Sequence, residues 1–126
     1  MAAQLAGVFI AGGAGATLRV LLAGRVERAL GERLPFAGIL AVNLLGCLAI
    51  GFGAASISAP HWQAIVLGGL LGGFTTYSSF ALLSVALGED ERWGVLATQI
   101  GAHLFGGVGC VWAGFSFARL VGVAAS

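Results

Sequence analysis

Residues 75–79 read Thr-Thr-Tyr-Ser-Ser, five hydroxyl side chains in a row, followed by Phe80 and preceded by the glycine pairs Gly68-Gly69 and Gly72-Gly73. Hydroxyls in that density can replace the water around a small ion. Tyr77 and Phe80 lie three residues apart, on nearly one face of a helix. Aromatic ring edges carry positive potential and ring faces negative potential, so edges suit an anion and faces a cation. A dehydrated anion could pass along the edges of Tyr77 and Phe80 while Thr76, Ser79 and the amide of Asn43 take over its hydration. Asn43 alone has two readings of equal weight, as such a donor or as interhelical glue contributing about 0.6–2 kcal/mol. Gln99, His103 and Gly107 follow at four-residue intervals and share one helix face. They read as a polar track or as hydrogen-bonded interface residues. Arg19 reads as a snorkelling or interface packing residue, or as a charge that draws anions toward an entrance. Ser78 or Ser79 with His103 could be written as a nucleophile and base. No motif surrounds either serine, and an enzyme is not expected.

The elements that must position these groups are membrane helices. The chain of 126 residues is 59% hydrophobic and 9% charged, with mean hydropathy +1.01. Each spanning helix needs about 20 apolar residues, and four stretches qualify, at residues 3–23, 35–57, 62–87 and 93–121. The fold class expected is an all-α, four-span membrane protein in a single domain over residues 1–126. The third span should break in mid-membrane, because glycine and clustered Ser/Thr loosen the ladder and freed carbonyls survive at that depth only beside a polar cavity. Strand-like alternation is absent, which excludes a transmembrane barrel. The first span lacks a basic leader and is longer than a signal-peptide core. Gly7, Ala11 and Gly15 recur at four-residue spacing and suit close helix packing. Helices so rich in small residues expose more surface than one protomer buries, so an oligomer is expected.

The acids Glu27, Glu32, Glu89, Asp90 and Glu91 all fall between the apolar stretches. Proton-coupled pumps and cation exporters need a carboxylate within the membrane. A small-solute or cation exporter is thereby disfavoured. Cys47 and Cys110 lie within spans and read as buried thiols. A formal charge of +1 gives no footprint for nucleic acid.

Three segments carry a resemblance to a known family. Gly12-Gly13-Ala14-Gly15-Ala16-Thr17-Leu18-Arg19, Asn43 with Gly46, and residues 72–80 resemble the first-, second- and third-helix signatures of the CrcB/Fluc fluoride channels. The resemblance covers nearly the whole chain. It implies an antiparallel, dual-topology dimer in the cell inner membrane with two pores that passively release fluoride from the cytoplasm. It also implies that the pore phenylalanines fall on Tyr77 and Phe80 and the pore asparagine on Asn43. A structural Na⁺ would be held at the dimer two-fold by backbone carbonyls of Gly72 and Thr75. Unwound carbonyls facing their symmetry mates form a natural oxygen cage. This chain departs from the pattern at Tyr77, at Leu83 where glutamate is common, and along Gln99, His103 and Gly107, where the family has a Tyr/Ser/Ser track.

Orientation follows the Lys/Arg bias of short loops. Arg25, Arg28, Arg33 and Arg92 fall on one side, with Arg19 near it, and Arg119 alone on the side of both termini. That asymmetry predicts one preferred orientation, termini outside. It raises an alternative in which the chain is a structural, partly or non-conducting subunit paired with an oppositely oriented homologue.

Overall fold

The computed structural model describes residues 1–123. Among them, four helical spans are long and apolar enough to cross a membrane, at Ala2–Leu30, Ala37–Ser56, Pro60–Glu89 and Trp93–Leu120. The first, second and fourth are the continuous helices α1 (Ala2–Leu30), α2 (Ala37–Ser56) and α6 (Trp93–Leu120). The third is in pieces. One turn, α3 (Pro60–Gln63), leads into a π-helical segment (Ala64–Leu71), then α4 (Gly72–Phe74), a break, and α5 (Ser78–Glu89). The protein is a multi-pass, all-α membrane protein.

The outer boundaries differ from the sequence reading in one place that matters. Residues 24–30, read as loop, continue α1 for two more turns. Good helix formers and the absence of proline carry the helix past its apolar part. Arg25, Glu27 and Arg28 therefore decorate a helical extension. Arg19 is no longer near a helix end but well inside α1.

Glycine sets how closely the spans approach. A Cβ on Gly15 would overlap the Leu70 carbonyl, and one on Gly73 would overlap that of Gly12, so α1 and the π/α4 half of the third span meet backbone to backbone. Gly7 faces Ile65, and Ala11 lies beside Gly69. The four-residue stripe of α1 is thus a packing seam against the third span. Gly51 meets the Val111 carbonyl and Gly114 meets that of Leu48, which closes α2 on α6 in the same way. Contact of this kind suits a membrane interior, where tight packing drives helix association.

The break changes the partner of the third span. Before it, the π segment and α4 pack on α1; after it, α5 packs on α6. α2 lies between and touches α1, the π segment, α4 and α6. Outward faces are apolar, with Phe9, Val20, Leu82, Phe105 and Trp112 each more than half exposed. These surfaces fit acyl chains or further protein.

Candidate functional site

The break lies at residues 75–77, between α4 and α5, directly over α2. Thr75 is extended, with φ −82° and ψ 162°, so the helical ladder stops there. Freed backbone groups at this depth need new partners, and two side chains provide them. Asn43 Nδ2 donates to the Thr76 carbonyl at 3.0 Å, and its Oδ1 accepts from the Thr76 N–H at 2.8 Å. Arg19 Nη1 donates to the Thr75 carbonyl at 3.0 Å. Gly46, one turn beyond Asn43, leaves room for the Thr75 methyl, which a Cβ there would overlap. Asn43 and Gly46 therefore act together: one clasps the break and the other admits it.

The partner of Arg19 is one that the sequence reading did not include. Its head reaches a backbone oxygen of the break, an interface role. Asn43 joins two readings, since it clasps the break and also lines a cleft. Its amide carries two N–H groups. One goes to Thr76, and the other has no hydrogen bond among the described residues.

Thr76 is buried and knits the break to the start of α5. Its Oγ1 donates to Ser79 Oγ at 3.0 Å and accepts from the Ser79 N–H at 3.2 Å. The start of α5 points first-turn N–H groups, the positive end of a helix dipole, toward the break. Beyond it lies a cleft of about 450 Å³, lined by Asn43, Cys47, Ile50, Thr75, Thr76, Tyr77, Phe80, Ile100, His103 and Leu104. No carboxylate lines it. A second groove, lined by Gly107, Val111, Trp112 and Phe115 among others, shares Cys47, His103 and Leu104 with the first. Together they form one track along α6.

Rings line the cleft in sequence. Tyr77 and Phe80 have centroids 6.0 Å apart at 38°, and Phe80 and His103 are 4.8 Å apart at 56°. Tilted rings present edges as well as faces to the space between them. Tyr77 is 80% exposed and stands at the open mouth of the cleft.

Gln99, His103 and Gly107 share a face of α6, yet they divide in role. His103 lines both clefts and Gly107 the second. Gln99 is fully buried behind them. Its Nε2 donates to the Phe80 carbonyl and to Ser84 Oγ, both at 3.1 Å, and so ties α5 to α6. Ser84 Oγ in turn donates to the Phe80 carbonyl at 2.8 Å. Gln99 thus positions Phe80 from behind. Ser84 was not singled out in the sequence, although its spacing of four from Phe80 is the usual one for a hydroxyl bonding back along a helix. Ser79 is drawn into the Thr76 network and does not line the cleft.

Comparison with known sequences places the chain in a family. Residues 6–115 match the CrcB-like protein family (Camphor Resistance, CrcB). The chain belongs to this family. It is 44% identical over 118 residues to the fluoride-specific ion channel FluC of Dichelobacter nodosus (strain VCS1703A), covering 90% of this chain and 95% of that one. The FluC protein of Nitratidesulfovibrio vulgaris (strain DSM 19637 / Miyazaki F) is 39% identical over 117 residues, covering 89% and 94%. That of Solidesulfovibrio magneticus (strain ATCC 700980 / DSM 13731 / RS-1) is 34% identical over 126 residues, covering 96% and 100%. In this CrcB-like chain the third-span motif and the α2 asparagine are one structural unit, which explains why both are legible together.

Proposed function

We propose that this chain is a subunit of a passive, fluoride-selective channel that lets fluoride leave the cytoplasm. The observation that carries this is the cleft itself. It combines an uncommitted amide N–H on Asn43, the positive start of α5 and the tilted rings of Tyr77, Phe80 and His103, with no carboxylate. The amide N–H and the helix start favour a small anion, the ring edges can add to them, and a cation would find no counter-charge. A mostly apolar track would favour an ion small enough to be held by a few donors. Relatives named fluoride-specific channels supply the identity of the anion. A passive pore needs no proton relay, which agrees with acids confined to the helix ends. Reversal potentials in planar bilayers test the reading. Fluoride should set the potential and chloride should contribute nothing measurable; equal permeation of the two would contradict it.

The family resemblance extends to an antiparallel dimer with a Na⁺ at its two-fold, and two features support the Na⁺. The Thr76 N–H, which would otherwise close onto the Gly72 carbonyl, goes to Asn43. The Gly72 carbonyl is thereby released, and Gly72 is exposed on the protomer face. Thr75 gives one lone pair of its carbonyl to Arg19 and retains another. These oxygens suit a small hard cation, which when bound would supply fixed positive charge at the junction. Because the ligands are carbonyls, Thr75→Val should keep Na⁺ binding. Replacing Na⁺ by a bulky organic cation should lower dimer stability, and indifference to that exchange would remove the site.

Heterodimerisation is the second reading. It is favoured by Arg25, Arg28, Arg33 and Arg92 lying on one side, against Arg119 on the other. In that case the chain would complete a channel with an oppositely oriented homologue.

A further inference from the structure

One end of the track along α6 is the break. The other is the groove that runs past Gly107 and Val111 to Trp112 and Phe115. Phe115 stands five residues before the end of α6, a rise of about 7.5 Å. The groove therefore ends near the membrane surface on the side of both termini. An anion at this end meets two unfavourable features. The lining is almost wholly apolar, and the C-terminal end of α6 is the negative pole of its helix dipole.

Arg119 opposes both. It lies one turn past Phe115 in the last turn of α6, and four-residue spacing puts the two side chains on one helix face. Its Cζ lies 5.4 Å from the centre of the Phe115 ring. A ring face attracts a cation, so the charge is seated on the last residue of the groove. Arg119 is exposed, so water and ions reach it. Glu27, Glu32, Glu89, Asp90 and Glu91 all lie toward the opposite membrane side. No Asp or Glu side chain is placed to cancel the charge. A basic residue in a last turn also suits the helix end and the lipid headgroups. Neither of those roles would make fluoride current depend on the charge.

We propose that Arg119 is an anion-capture residue, a positive charge seated on Phe115 that concentrates fluoride at the terminus-side mouth of the track. The inference rests on the anion-path reading and adds the charge that loads the path. It requires no change of protonation, because a guanidinium stays charged throughout. Attraction of this kind acts through water, so salt screens it. A charge reaches about 30 Å at 0.01 M ionic strength and about 3 Å at 1 M.

Fluoride current at one fixed, sub-saturating fluoride concentration tests this, in bilayers of net-neutral lipid that add no surface potential. Sodium gluconate sets the ionic strength low or high. At low ionic strength Arg119→Gln should carry several-fold less current than the wild type, and Arg119→Lys should carry nearly the wild-type current. At high ionic strength the three should converge. The ratio of the two currents within one preparation does not depend on how much protein has folded. Equal wild-type and Arg119→Gln currents at low ionic strength would overturn the proposal. So would a deficit in Arg119→Gln that persists at high ionic strength, or one that Arg119→Lys does not repair, since either would make Arg119 a structural residue. Absence of wild-type fluoride current at both ionic strengths would contradict the channel reading itself, and the proposal with it.

Discussion

Asn43 concentrates the residue-scale argument, because a single amide satisfies both backbone groups of Thr76 and still offers an N–H to the cleft. Each neutral hydrogen bond is worth about 1 kcal/mol net, but leaving its buried partner unpaired costs about 1–3 kcal/mol. Asn43→Asp loses the donor to the Thr76 carbonyl and places a negative charge on the anion path. Asn43→Ser loses reach yet keeps a hydroxyl. The expected outcome is abolished fluoride flux in Asn43→Asp and reduced flux in Asn43→Ser, with both proteins assembled by size exclusion. Equal flux through the two variants would mean that Asn43 only holds the break.

At the scale of elements, the break works because α2 offers Asn43 and Gly46 three residues apart. Gly46→Leu would drive a side chain into Thr75 and Phe74. It should cost about 1–3 kcal/mol or more, as overpacking with backbone displacement does, and lower thermal stability in detergent. Gly68→Ala faces open space and should leave stability nearly unchanged, so comparable losses in both would contradict the packing account. The number and order of spans were legible in the sequence, because apolar length alone sets them. The break was legible through its glycine and hydroxyl run. Its position, however, followed the hydroxyls: Gly72 and Gly73 stay helical, and Gly73 serves close packing on α1. The π-helical stretch at Ala64–Leu71 was not legible, since an extra residue per turn leaves no compositional trace. The partner of Arg19 was not legible for a similar reason. It is a backbone oxygen 56 residues away, and no side-chain pattern announces a freed carbonyl. Gln99 was read as part of a polar track, but its burial and its turn toward Phe80, away from the cleft, depend on the packing of α5 against α6.

For the whole molecule, the arginine asymmetry bears on which partner the proposed dimer would use. Orientation follows the basic residues of short loops. Terminal reporter fusions on the native chain should report one side of the membrane, with the termini outside. Signals of equal strength from both sides would show dual topology and remove the case for a homologous partner.

If the ring edges beside the break carry fluoride, Phe80 is the residue that shows it. Its ring lies between Tyr77 and His103, and its carbonyl is fixed by Gln99 and Ser84. Phe80→Ile keeps the backbone anchor and the apolar bulk while removing the ring. Fluoride efflux should be followed from proteoliposomes holding this chain alone, wild type and Phe80→Ile side by side, with a potassium ionophore to relieve the charge. Rapid, ionophore-dependent efflux is expected from the wild type, and loss of nearly all of it in the variant. Wild-type efflux from a well-assembled Phe80→Ile protein would contradict it.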